Sequence, residues 1–233
     1  MIKTCRRTLN SYQRLVAAPL LRAIDPELEY TPYRGISYYD LQASKLVKDH
    51  PSKTFTSNNL VRYENGGTPV RLSHVMLEHK DDEEDNVPVF CGLFGVTDAR
   101  RPARGTTIVS FDLAEKHLGF VGQGLQHKTN ASGLERIRLD SSGFEKHYVV
   151  YSSDPIEANY LLSHTVMEKL TYLIEKYRVL PRISFVGNTI YIAVLGNGFF
   201  QPSSWTFKEA EGSINALAFT RKAVEAIHHH HRL

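Results

Sequence analysis

Apolar residues recur at helical spacing between Thr8 and Ile24, at Leu9, Tyr12, Val16, Leu20, Ala23 and Ile24, which predicts an amphipathic first helix. Arg7, Arg14 and Arg22 fall mostly off that stripe. Pro19 should kink or shorten the helix, because it has no backbone N–H to donate. Leu28 to Pro32 reads as an extended link. A second helix is expected over Ser37 to Val47, with Tyr38, Leu41 and Leu46 inward. Asp49 to Asn59 is polar and reads as a turn-rich connection.

Strands dominate the middle of the chain. Leu60 to Tyr63 and Pro69 to Leu77 flank Glu64-Asn65-Gly66-Gly67, and Asn-Gly between β-prone runs signals a hairpin because both residues tolerate positive φ. An acidic stretch, Asp81 to Asp85, separates these from Val87 to Val96, which is apolar on both faces, as a central strand should be. Gly92 and Gly95 within it point to a bulge or to close backbone packing. Thr106 to Phe111 and Arg136 to Leu139 are further strands, with a short helix or turn near Leu113 to Leu118 between them.

Phe144 to Tyr151 alternates and predicts a strand that stops at Ser152-Ser153. Asp154-Pro155-Ile156-Glu157 supplies an N-cap, a proline at the first helical position and an acid three residues after the cap. Ser163 offers a second cap, so the chain should bend between two helices there. Val166, Met167, Leu170, Leu173, Ile174 and Tyr177 form one apolar stripe. Ile183 to Val186 and Thr189 to Leu195 flank Gly187-Asn188, a second hairpin. Phe199, Phe200 and Trp205 should close one end of the core. A last helix is expected over Ser213 to Ile227, with Ile214, Leu217, Ala218, Val224 and Ile227 inward. The fold class is α+β: a mostly antiparallel sheet of about seven or eight strands, with N-terminal, middle and C-terminal helices packed on it.

Composition changes this picture little. The 233 residues are 42% hydrophobic and 23% charged, the mix of a folded domain able to bury a core. A net charge of +3 is too small to point to nucleic acid. Cys5 and Cys91 make neither a disulfide framework nor a zinc pattern, and a reducing compartment suits them. No apolar run is long enough to cross a bilayer.

Candidate chemistry is sparse. Gly119, Gly122 and Gly124 match neither the Walker pattern nor the dinucleotide fingerprint, and no motif calls for a cofactor or a metal. The acidic stretch lacks the glycine and spacing of a calcium loop. Asn130-Ala131-Ser132 fits a glycosylation triplet. Arginine forks suit phosphate and carboxylate, so Arg100, Arg101 and Arg104 are candidate binding residues, as are Arg7 and Arg14 of a helix that could lie on an anionic membrane. Glu145 and His147 share a face of an ideal strand, which makes them the candidate acid–base pair. Asp154 and Glu157 are accounted for by capping. His228 to His231 could bind a metal, but such runs are commonly appended for purification, and a frayed tail makes a poor cage.

The segments LEYTPYRGIS, Asn65-Gly66-Gly67-Thr68-Pro69-Val70, FCGLFGV and Gly105-Thr106-Thr107 resemble, in that order, a bacterial family known as domain of unknown function number three thousand one hundred and thirty-seven. The match is strongest in RLDSSGFEKHYVVYSSDPIEANYLL and ISFVGNTIYIAV, and it spans roughly Ala17 to Trp205. Asn159 stands where the family has arginine, and Ser163-His164 where it has Thr-Pro. The resemblance carries no catalytic residues. It implies a domain often anchored by hydrophobic segments ahead of this region, and encoded near LemA-like proteins. It divides a single domain, 1–233, into a basic helix (1–27), a family-like core (28–205), a C-terminal helix (206–227) and a His-rich tail (228–233).

The expected function is therefore non-enzymatic: a cytoplasmic binding or scaffolding domain at the inner face of a bacterial membrane, with an anionic surface or a LemA-like membrane protein as partner. The alternative is an enzyme of unrecognised type built around Glu145 and His147. Nucleic-acid binding through Arg100, Arg101 and Arg104 ranks lower.

Overall fold

The computed structural model describes residues 12–47, 53–80, 86–111, 133–179, 181–196, 200 and 207–230. Its frame is one antiparallel sheet of nine strands in the order β1-β2-β3-β4-β9-β8-β5-β7-β6. The strands are β1 (Glu29–Thr31), β2 (Lys53–Asn65), β3 (Thr68–Lys80), β4 (Asn86–Asp98), β5 (Thr106–Phe111), β6 (Glu135–Ile137), β7 (Tyr148–Ser152), β8 (Pro181–Val186) and β9 (Thr189–Leu195). A π-helical stretch, Gln13–Ala17, runs into α1 (Ala18–Ile24). The other helices are α2 (Tyr38–Ala43), α3 (Ser142–Glu145), α4 (Pro155–Leu161), α5 (His164–Tyr177) and α6 (Phe207–His230).

Strand periodicity divides the core into two layers. Along β9, Ile190, Ile192 and Val194 face the layer shared with α1, α5 and α6. Tyr191 and Ala193 face the opposite layer, with Leu41 of α2 and the neighbouring Ile36 and Leu46. Strands β4, β8 and β9 are thus covered on both sides, which explains their apolar runs. Both expected hairpins are present: Gly66-Gly67 joins β2 to β3, and Gly187-Asn188 joins β8 to β9. Gly92 is required because a Cβ there would lie 2.1 Å from the Val194 carbonyl oxygen.

The helical ends are tied across the sheet. Arg221 of α6 pairs with Asp25 at the end of α1 and lies over the Tyr63 ring, 5.1 Å from its centroid. The strand count exceeds the expectation by one or two, and several boundaries differ for identifiable reasons. Pro19 does not break the first helix; it follows a π stretch, where the wider turn accommodates a residue that cannot donate. The second helix starts at the Ser37 cap, whose hydroxyl accepts from Asp40 N, but it stops at Ala43, and Lys45 is left-handed at φ 58°.

The expected turn region 49–59 is in fact the first half of β2 from Lys53 onward, paired residue by residue with β3. Backbone pairing and an alternating half-exposed face outweigh its polar composition. Phe144 lies in α3, ahead of β7. Phe144 and Tyr148, four apart, are both buried with rings 4.6 Å apart, a spacing that fits a helical turn as well as a strand. The last helix runs on to His230, so residues 228–230 are its final turn and form no frayed tail. The acidic stretch 81–85, the predicted turn near Leu113, the glycine-rich segment, the Asn130 triplet, Phe199 and Trp205 lie outside the described residues.

Two consequences are measurable. Gly92→Ala should cost about 2–4 kcal/mol in urea denaturation, since backbone must move to admit the methyl; an unchanged midpoint would contradict the β4–β9 register. His74 of β3 is buried, and desolvation pushes its imidazole down to about 4. As pH falls below about 6.5, the unfolded chain takes up the proton first. Stability from neutral His74 is therefore complete above pH 6.5 and drains away as pH falls toward 4, by about 3 kcal/mol in all. Denaturation series on the native chain and His74→Gln should show a smaller acid loss in the variant.

Candidate functional site

The stretch from α3 to α5 holds Glu145, His147, Asp154 and Glu157. Ser141 precedes the short α3, whose Glu145 carboxylate turns back to accept from Leu139 N at 3.0 Å. His147 points elsewhere, with Nε2 3.7 Å from the Glu175 carboxylate of α5. Only Tyr148 onward is strand, so Glu145 and His147 do not share a strand face as expected. Glu145 lines a cavity of about 170 Å³ with Arg136, Arg138, Leu139, Phe144 and Tyr148; His147 is not among its walls.

Asp154 caps α4 as predicted, accepting from Ile156 N and Glu157 N, both at 3.0 Å. Glu157 does something the capping pattern did not suggest. Its two oxygens accept from Arg104 N at 2.7 Å and Gly105 N at 2.8 Å, clamping the basic loop to the helix. Ser163 occupies the cap position of α5, but its side chain makes no capping bond. Asn159 donates to Pro155 O within α4.

The three loop arginines do not converge on one point. Arg100 donates to Thr68 Oγ1 and to the carbonyls of Asn65 and Gly66, bracing the β2–β3 turn. Arg101 donates to the Tyr160 hydroxyl at 2.9 Å and lies over that ring. Arg104 contributes its backbone. His228 in the last turn of α6 reaches Asn65 Nδ2 and Asp98 O with its two ring nitrogens, and His230 Nε2 lies 3.2 Å from Tyr160 O. The histidine run thus docks α6 against the ends of β2 and β4 and against α4, and its buried member, His228, behaves as a core residue. Among the described residues no three His, Cys, Asp or Glu side chains gather in a metal-binding group.

The first helix is divided between a buried and an exposed side. Ala17 and Leu21 are fully buried, while Leu15 is 73% exposed beside exposed Arg14 and Arg22. Arg7 lies outside the described residues. A polar knot fixes the orientation of this helix. Asn59, in the β2 bulge with φ 55°, accepts from Gln13 Nε2 at 3.0 Å and from the Tyr30 hydroxyl at 2.7 Å. It donates through Nδ2 to Phe200 O. Sequence reasoning missed this knot; a consecutive asparagine pair ahead of an apolar strand was the available sign of a left-handed bulge residue.

Taken together, the nine-stranded sheet with its helices and basic loop defines an α+β domain without a recognised catalytic centre among the described residues. The chain belongs to the family described as Protein of unknown function (DUF3137), whose model matches residues 88–229. The matched region runs from β4 through α6, beginning later and ending later than the sequence motifs suggested. No curated protein sequence matches the chain. Among solved structures, the crystal structure of the mycobacterial trehalose monomycolate transport factor A, TtfA, is similar at 8% identity and a TM-score of 0.46, covering 95% of each chain. Among the described residues no helix is long and apolar enough to cross a membrane.

The Glu157 clamp makes a direct prediction. Glu157→Ala leaves two backbone N–H groups without their acceptor and should cost about 2 kcal/mol in urea denaturation, with faster hydrogen exchange at Arg104 and Gly105. Unchanged exchange at those amides would show that the clamp is dispensable.

Proposed function

We propose that this chain is a non-enzymatic binding or scaffolding domain at the cytoplasmic face of a bacterial membrane, contacting anionic lipid through the outward side of its first helix. The supporting observation is Leu15, 73% exposed on a helix whose opposite side is sealed into the core, with Arg14 and Arg22 exposed around it. An apolar side chain flanked by arginines is what a helix lying in the headgroup layer presents. Each arginine near an anionic surface contributes roughly 1 kcal/mol of attraction. Tyr33, 65% exposed, and exposed Arg34 follow β1, and that segment hangs on Asn59 through Asn59 N–H to Pro32 O. A LemA-like membrane protein is a candidate partner by the family's gene neighbourhoods.

A second reading, an enzyme of unrecognised type using Glu145 with His147, is favoured by the cavity that Glu145 lines. The direction of His147 toward Glu175 weighs against it.

Co-sedimentation with phosphatidylglycerol-containing and pure phosphatidylcholine vesicles tests the first reading. Binding should be selective for the anionic vesicles and fall with added salt. The triple variant Arg14→Glu, Leu15→Glu, Arg22→Glu should bind about tenfold more weakly or worse. Equal binding to both vesicle types, or full binding by the triple variant, overturns it.

A further inference from the structure

Arg182 of β8 is 2% exposed, and its side chain lies in the layer opposite α5 and α6. The alternation settles the direction, because its neighbour Ile183 faces the α5–α6 layer. One nitrogen, Nη1, donates to Leu46 O at 3.1 Å. The other edge of the fork, Nε with Nη2, has no hydrogen-bond partner among the described residues. Those two N–H groups are parallel and lie on the side of guanidinium that grips an oxyanion in bidentate fashion. The β5–β8 register pairs Val109 with Ile183, which sets Ser110 beside Arg182. Ser110 is 3% exposed, and its hydroxyl also has no partner among the described residues.

Among the described residues no carboxylate pairs with Arg182. Burial lowers the Arg182 guanidinium only to about 10, so it is charged at neutral pH. A desolvated charge held by a single carbonyl is costly without an anion, and arginine cannot escape the cost by losing its proton as a buried lysine can.

We propose that Arg182 and Ser110 form a buried receptor for a small oxyanion, carboxylate or phosphate, taken by the Nε–Nη2 edge and the serine hydroxyl. The site stands apart from the vesicle-facing helix and does not depend on it. Leu46 O holds the far side of the fork and fixes its plane.

Thermal unfolding of the full chain at constant ionic strength, with chloride exchanged for inorganic phosphate or for acetate, provides the test. Whichever oxyanion fits should raise the midpoint by several degrees, about 5 °C near a hundredfold excess over its dissociation constant. The two arms separate phosphate from carboxylate. Arg182→Lys keeps the charge but loses the fork, and it should abolish the shift; Ser110→Ala should reduce it while leaving the chain folded. A midpoint indifferent to both anions, or an equal shift in Arg182→Lys, overturns the proposal.

Discussion

Asn59 sits fully buried at the β2 bulge, and its side chain joins segments far apart in sequence: Gln13, 46 residues before it; Tyr30, 29 before; and Phe200, 141 after. The left-handed backbone at this position is one that asparagine tolerates better than most residues. It turns the amide inward where an in-register strand residue would point across the sheet. Both acceptor lone pairs are used, and the buried amide is satisfied by protein groups instead of water. The first helix therefore has one orientation on the sheet, with Ala17 and Leu21 inside. The arginine-flanked Leu15 side is left out by the same geometry.

A similar economy runs through the rest of the molecule. Residues that look chemically reactive in the sequence are largely ties between segments. Glu157 clamps the loop that Arg100 braces against the β2–β3 turn. His228 closes the end of α6 onto Asn65 and Asp98. Each uses a charged or strongly polar group to satisfy backbone groups in a connection that would otherwise be left open. Arg182 departs from this pattern, with one edge of its fork satisfied and the other not.

Much of the architecture was legible. The two glycine hairpins, the doubly buried strands, the Asp154 cap and the stripe of α5 all follow from local patterns whose physics acts over a few residues. What failed depended on distance. The strand over Lys53–Asn58 is polar enough to read as a turn, and only its pairing with β3 makes it regular. Phe144 and Tyr148 satisfied two periods at once, and their spacing alone does not choose between them. The oxyanion candidates were illegible for the same reason: Ser110 and Arg182 are 72 positions apart, and only the sheet register brings them together.

Asn59 holds the first helix in place, and hydrogen exchange on Asn59→Ala is the direct test. Loss of the amide strands Gln13, Tyr30 and Phe200, and should cost about 3–5 kcal/mol. Amides in 13–24 should lose protection well before those of β4 and β9, whose register does not involve Asn59. Protection lost evenly across helix and central strands, or unchanged in 13–24, would contradict it.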